Sequence, residues 1–206
     1  MSKILILNTS PRGERSLTRR LTAQFQQQWE QAHAGATVIS RDLAAQPVPP
    51  VDDAWIIGAF APPEAHSPEA KAALAFSDHL VDELLSADRY VFGVPMYNLN
   101  IPSTFKSYID QIVRVGRTFS VGAAGYEGLV KGKKAIFVTS SGGSFQAGSP
   151  FAPYNFQEPY LRAIFGFIGI TDIQFVVADS QNLGDVPAST SVAKAEGTLK
   201  ELATTW

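Results

Sequence analysis

The chain has 206 residues, 45 % hydrophobic and 17 % charged, with a formal net charge of −2. That is enough apolar sequence to close a core, which excludes global disorder and predicts one domain over residues 1–206. With no cysteine there is no disulfide, thiol nucleophile, thiolate metal ligand or iron–sulfur cluster, and with no Lys/Arg run of five residues a nucleic-acid-binding face is not expected.

The first eight residues carry one positive charge and a four-residue apolar run, too short for a signal peptide, and no later stretch approaches a membrane span. A cytoplasmic protein is expected. Five compact runs rich in Ile, Val, Leu and Phe read as strands buried on both faces: Ile4–Leu7, Thr37–Ser40, Tyr90–Val94, Ala135–Thr139 and Ile173–Val177. Helical patterns fall between them. Leu17, Leu21, Phe25 and Trp29 recur every four residues. Ser67-Pro68-Glu69 reads as an N-cap, a first-turn proline and a first-turn acid, followed by Phe76, Leu80 and Leu84. Pro102 opens a third helix bearing Phe105, Ile109, Ile112 and Val113. A fourth covers Glu158 to Phe167, and a last one Ser191–Thr204. Ala44–Ser67, with five of the thirteen prolines, reads as an irregular excursion, and Gly116–Lys134 as a glycine-rich hairpin or flap. Alternating strands and helices predict a parallel sheet wrapped on both faces.

In such sheets ligands bind beyond the C-terminal strand ends. Asn8–Thr18, after the first strand, is dense in hydroxyls and runs into a helix start, offering N–H groups, Ser/Thr donors and a positive dipole end to an anion. It matches neither G-x-G-x-x-G nor G-x-x-x-x-G-K-[ST], so a single phosphomonoester suits it better than a dinucleotide or a nucleoside triphosphate. Ser16 alone would also serve as a plain helix cap. After the third strand, Pro95 and Pro102 stiffen a segment holding Met96, Tyr97, Asn98 and Leu99, suited to the edge of a flat heterocycle or simply to a well-made strand–helix connection. After the fourth, Ser140-Ser141-Gly142-Gly143 permits close backbone approach. Together the three loops describe one pocket, phosphate at one end and a planar ring at the other. His33, His66 and His79 are isolated, so no metal site is predicted; no G-x-S-x-G is present; and Asp52-Asp53 reads as a solvated turn.

At these residues the chain resembles the FMN-dependent NADH-azoreductases, within the flavodoxin-like NAD(P)H:quinone oxidoreductases. The resemblance runs nearly end to end. It is most specific at Arg41-Asp42-Leu43-Ala44-Ala45, Pro95-Met96-Tyr97-Asn98, Tyr126–Ala135 and Gly166–Asp172. It implies a flavodoxin-like doubly wound three-layer sandwich with strand order 2-1-3-4-5, and a homodimer with FMN near its interface. It also implies two-electron ping-pong transfer from NADH or NADPH to quinones and azo compounds. Carried over residue by residue, Ser10, Ser16, Leu17 and Thr18 hold the FMN phosphate. Pro95, Met96, Tyr97, Asn98 and Leu99 wrap the ring, and Ser140, Ser141, Gly142 and Gly143 approach its other edge. The flavin carries the chemistry, so no catalytic side chain is expected. Phe60, Phe119 and Tyr126 are candidates to cover the ring, against a reading as ordinary packing residues. The chain departs from the family at Leu99, where Phe is common, at Ser141, where Arg is frequent, and at Phe145 and Val121. These departures bear on acceptor preference. A flavodoxin-like electron carrier or redox sensor is the competing reading; the small net charge argues against a carrier's acidic docking face.

Overall fold

The computed structural model describes residues 2–206; Met1, where the predicted domain begins, lies outside the described residues. The strands are β1 (Lys3–Asn8), β2 (Thr37–Asp42), β3 (Arg89–Pro95), β4 (Phe119–Gly122), β5 (Gly125–Gly128), β6 (Lys134–Ser140) and β7 (Asp172–Ala178). The α-helices are α1 (Leu17–Ala32), α2 (Asp53–Phe60), α3 (Pro68–Ser86), α4 (Ser103–Ile112), α5 (Gln157–Phe167) and α6 (Asp185–Thr205). Five strands form one parallel sheet in the order β2-β1-β3-β6-β7; β4 and β5 pair separately as an antiparallel hairpin. With the hairpin set aside, the sheet has the predicted 2-1-3-4-5 order.

The period of two along each strand divides the core between the sheet faces. Leu5, Leu7, Phe92 and Phe137 face α3, α4 and α5. Ile4, Ile6, Val91, Ile136 and Val138 face α1 and α6. On the first face Phe92 lies within 5.1–5.6 Å of the rings of Phe105, Phe137 and Phe165. On the second, Phe25, Trp29 and Trp206 form an aromatic cluster under the last helix. Both faces are covered, which is why these strands read as continuous apolar runs.

Three segments correct the sequence reading. Ala44–Ser67 contains α2: the Asp52 carboxylate accepts a hydrogen bond from the Trp55 N–H at 2.8 Å, so Asp52 is a helix cap and not a solvated turn. Trp55 and Ala59 pack on Leu74 of α3, which holds this short helix against the body. The last helix begins at Asp185, six residues before Ser191, in a stretch of low apolar content. On α3 the buried stripe runs through Leu74, Ser77, Leu80, Val81 and Leu84, leaving Phe76 outside it. The Ser67 cap forms as expected, its Oγ accepting from the Ala70 N–H at 3.2 Å.

The hairpin is seated by glycine. A Cβ on Gly128 would stand 2.3 Å from the backbone nitrogen of Gly169, so the β5 end and the α5–β7 turn meet backbone to backbone. The Val130 N–H then donates to the Ile168 carbonyl at 2.8 Å.

Candidate functional site

The C-terminal ends of β1, β3, β6 and β7 meet around a cavity of about 430 Å³, within the usual size range of small-molecule sites. Of the thirteen residues expected to hold a cofactor, Ser10, Ser16, Leu17, Pro95, Met96, Tyr97, Ser140, Ser141 and Gly142 line it. Thr18 is fully buried behind Ser16, the two hydroxyls 3.2 Å apart. Asn98, Leu99 and Gly143 sit beside the cavity in the same loops without lining it. Phe60 lies elsewhere, on a second cavity of about 510 Å³ with His66 and Arg114. Phe119 and Tyr126 pack with Phe167 on the hairpin, with ring centroids 4.8–6.2 Å apart. Within one chain these three aromatics are not gathered at the cavity.

The loop after β1 is fixed from two sides. The Thr9 hydroxyl donates to the Gly93 carbonyl (2.9 Å), and the Thr104 hydroxyl to the Thr9 carbonyl (3.1 Å). The Arg19 guanidinium donates twice to the Ser10 carbonyl, at 2.9 and 2.7 Å, and twice to the Asp42 carboxylate, at 2.6 and 2.5 Å. Asp42 also accepts from the Ala44 N–H. The Arg19 hydrogen bond, followed by that N–H and the Arg19 charge, holds the Asp42 carboxyl below the usual carboxylate range against partial desolvation. Ser16 caps α1, its Oγ accepting from the Arg19 N–H at 3.4 Å. The helix thus begins at the cavity wall and aims its positive end there.

The loop after β3 turns through Tyr97 and Asn100, whose backbones exchange two hydrogen bonds (2.8 and 3.0 Å) around Asn98 (φ +48°) and Leu99 (φ +70°). Positive φ at both central residues is the requirement of a type I′ turn, which Asn tolerates and Leu does not favour. The N–H groups of Asn98 and Leu99 make no hydrogen bond among the described residues. From below, the buried Gln157 amide donates to the Val94 carbonyl at 3.2 Å, bracing the strand end.

The loop after β6 is held by the one after β7. The carbonyls of Ser141, Gly142 and Gly143 accept from the N–H groups of Gln181 (3.1 Å), Asn182 (2.8 Å) and Ser180 (3.3 Å). With its carbonyls so engaged, this loop keeps its own N–H groups for a ligand. Gly142 lies against the Asn182 side chain: a Cβ there would lie 2.5 Å from its amide nitrogen, which would have to swing aside.

Four lining residues were not anticipated: Arg12, Arg15, Gln181 and Asn182. The first two look like solvated charges in the sequence. The last two follow β7, whose C-terminal end borders the same edge; a search of the loop after the fifth strand, as well as the first, third and fourth, finds them.

The family model described as the flavodoxin-like fold matches residues 2–203. The chain is 55 % identical over 207 aligned residues to FMN-dependent NADH:quinone oxidoreductase 2 of Trichormus variabilis, covering 100 % of both chains. It is 56 % identical to the FMN-dependent NADH:quinone oxidoreductase of Nostoc punctiforme, with 100 % of both covered. Among solved structures, an azoreductase from Bacillus anthracis str. Sterne superposes with a TM-score of 0.92 at 28 % identity, over 100 % of both chains. An FMN-dependent NADH-azoreductase from Bacillus anthracis str. Ames Ancestor, solved in complex with FMN, superposes with a TM-score of 0.89 at 25 % identity, over 99 % of this chain and 98 % of that one.

Proposed function

The chain belongs to the flavodoxin-like fold family, and we propose from that premise that it is an FMN-dependent oxidoreductase that takes reducing equivalents from NADH and passes them to quinones and azo compounds. The observation that carries the reading is the cavity itself: an anion-suited rim at the α1 start joined to a stiff, N–H-bearing edge at the β3 and β6 loops. Relatives sharing more than half of this sequence end to end are named FMN-dependent NADH:quinone oxidoreductases, and structures at 25–28 % identity are named azoreductases.

The cavity fits the cofactor chemically. Its lining contains Ser10 and Ser16 hydroxyls, two guanidinium groups and no carboxylate, the donor set of a phosphate site. At the other side lie Met96 and Tyr97, an apolar and an aromatic surface, bordered by backbone donors. FMN, when bound, supplies the two-electron transfer between the nicotinamide and the acceptor. The chain's own part is to bind, orient and stabilise. Ser10, Ser16, Leu17 and Thr18 take the phosphate end; Thr18 acts from behind by holding the Ser16 hydroxyl. Pro95, Met96, Tyr97, Asn98 and Leu99 take one ring edge, and Ser140, Ser141, Gly142 and Gly143 the other. The N–H groups of Asn98, Leu99, Gly142 and Gly143, held by turn geometry and by the Ser180–Asn182 strap, would be preorganised donors for the bound cofactor's ring.

In this reading residues 1–206 form one domain and the active species is a cytoplasmic homodimer. Phe60, Phe119 and Tyr126 lie away from the cavity of their own chain; Phe60 and Tyr126, 74 % and 70 % exposed, present apolar surface a second copy would use, whereas Phe119 is buried. One shared site for donor and acceptor gives ping-pong kinetics, with NADPH as an alternative donor. Steady-state oxidation of NADH with menadione, in FMN-loaded protein without any partner protein, tests the reading. Turnover with parallel double-reciprocal lines is expected; no turnover would move the protein to the electron-carrier or sensor class.

A further inference from the structure

Arg12, Arg15, Arg19 and Arg20 lie within one stretch of the β1–α1 region. Two are occupied. Arg19 is spent on Asp42 and the Ser10 carbonyl, and Arg20 lies 3.8 Å from Glu196. Arg12 and Arg15 are exposed, both line the cavity, and neither has a carboxylate within 4.0 Å among the described residues. Arg12 precedes and Arg15 ends a single 3-10 turn, Gly13–Arg15, closed by hydrogen bonds from the Arg15 N–H to the Arg12 carbonyl (3.2 Å) and from the Ser16 N–H to the Gly13 carbonyl (3.0 Å). Gly13 has a positive φ of 55° and the turn is a single one; it is the shared cavity lining that places both side chains on one rim. Glu14, the acid between them, does not line the cavity, and neither does any other Asp or Glu.

Two positive charges on one rim, without an acid among the lining residues, favour an anion there. A phosphate monoester at neutral pH carries roughly −1.5 to −2 charges, which the pair matches nearly charge for charge. Each guanidinium also presents a planar fork of donors suited to phosphate oxygens. Riboflavin, with the same ring and no phosphate, gains nothing from either residue.

We propose that Arg12 and Arg15 are the specificity-determining pair of this site, which make it select the 5′-phosphorylated flavin over unphosphorylated riboflavin. The inference rests on the FMN reading above and adds to it the residues that set flavin choice. Ser10, Ser16 and the α1 start then orient the phosphate, while the arginine pair neutralises it.

The test is fluorescence titration of apoprotein with FMN and with riboflavin, for wild type, Arg12→Gln, Arg15→Gln, the double glutamine variant and the double lysine variant. At the low end for a charge-assisted hydrogen bond, each glutamine change weakens FMN about tenfold and the double change about a hundredfold. Riboflavin affinity stays within about twofold of wild type, since the removed charges have no partner on it. The lysine variant recovers part of the FMN affinity, because charge returns without the fork. Equal losses for FMN and riboflavin would overturn the proposal, as would a double glutamine variant that binds FMN like wild type. Wild-type protein binding neither flavin would instead defeat the cofactor assignment, a distinguishable result. Circular-dichroism melts of the apoproteins should coincide, both side chains being exposed.

Discussion

Replacing Asp42 by Asn isolates the clamp that shapes the loop after β1. Asp42 holds Arg19 through two hydrogen bonds, and Arg19 holds the Ser10 carbonyl through two more. Asparagine keeps an acceptor for the Ala44 N–H but loses the charge. The Arg19 and Asp42 side chains are 17 % and 35 % exposed, so the pair is discounted to about 1 kcal/mol, the upper end for solvent-reached ion pairs. For a chain of this size that corresponds to a fall in Tm of about 2–4 °C. The sign with pH follows from the Asp42 carboxyl being held below its ordinary value of 3.8. The unfolded chain binds the proton first as pH falls, so this stability is fully present above the ordinary value and is lost as pH drops through the lower folded-state value. Urea unfolding at pH 7 and at pH 3 therefore gives a wild-type-to-variant gap that narrows at the lower pH. Arg19→Met, which also frees the Ser10 carbonyl, costs about 2 kcal/mol, and adding Asp42→Asn to it costs little more because both act through one contact. A gap that is constant with pH, or fully additive losses in the double variant, would refute the clamp.

Gly128→Ala places a Cβ against the backbone of Gly169 and Ile168, which cannot swing aside; a loss of about 2–3 kcal/mol in chemical denaturation is expected. Leu99→Val puts a β-branched side chain at φ +70° and destabilises by about 1–2 kcal/mol, whereas Leu99→Gly does not, a contrast read by thermal melts. Asp52→Ala removes the cap of α2 and costs about 1 kcal/mol, with earlier proteolysis between Ala44 and Ser67 as the local readout.

The three central strands β1, β3 and β6 were legible because each is buried on both faces and so reads as an apolar run, whereas the partly exposed edge strands β2 and β7 were legible from shorter apolar stretches. Ser67-Pro68-Glu69 was legible because capping chemistry is local. Helix α2 was not: its sequence, Asp53–Phe60, is apolar almost throughout and shows no amphipathic stripe, and the neighbouring prolines masked it. What fixes it is tertiary, Trp55 and Ala59 against Leu74. The three ligand loops followed from the rule that parallel sheets bind at their C-terminal edge. The strap from Ser180 to Asn182 was missed because it reaches the site by hydrogen bonds to a loop some forty residues earlier, which no local pattern records. Arg12 and Arg15 were missed because a charged loop residue looks solvated until the cavity beside it is known to hold no acid.

The most direct measurement is the visible spectrum of FMN-reconstituted, desalted protein, before and after anaerobic NADH and then menadione. The account predicts a retained flavin band that bleaches with NADH and returns with the quinone. A protein that emerges from desalting without flavin would contradict the assignment of all three loops.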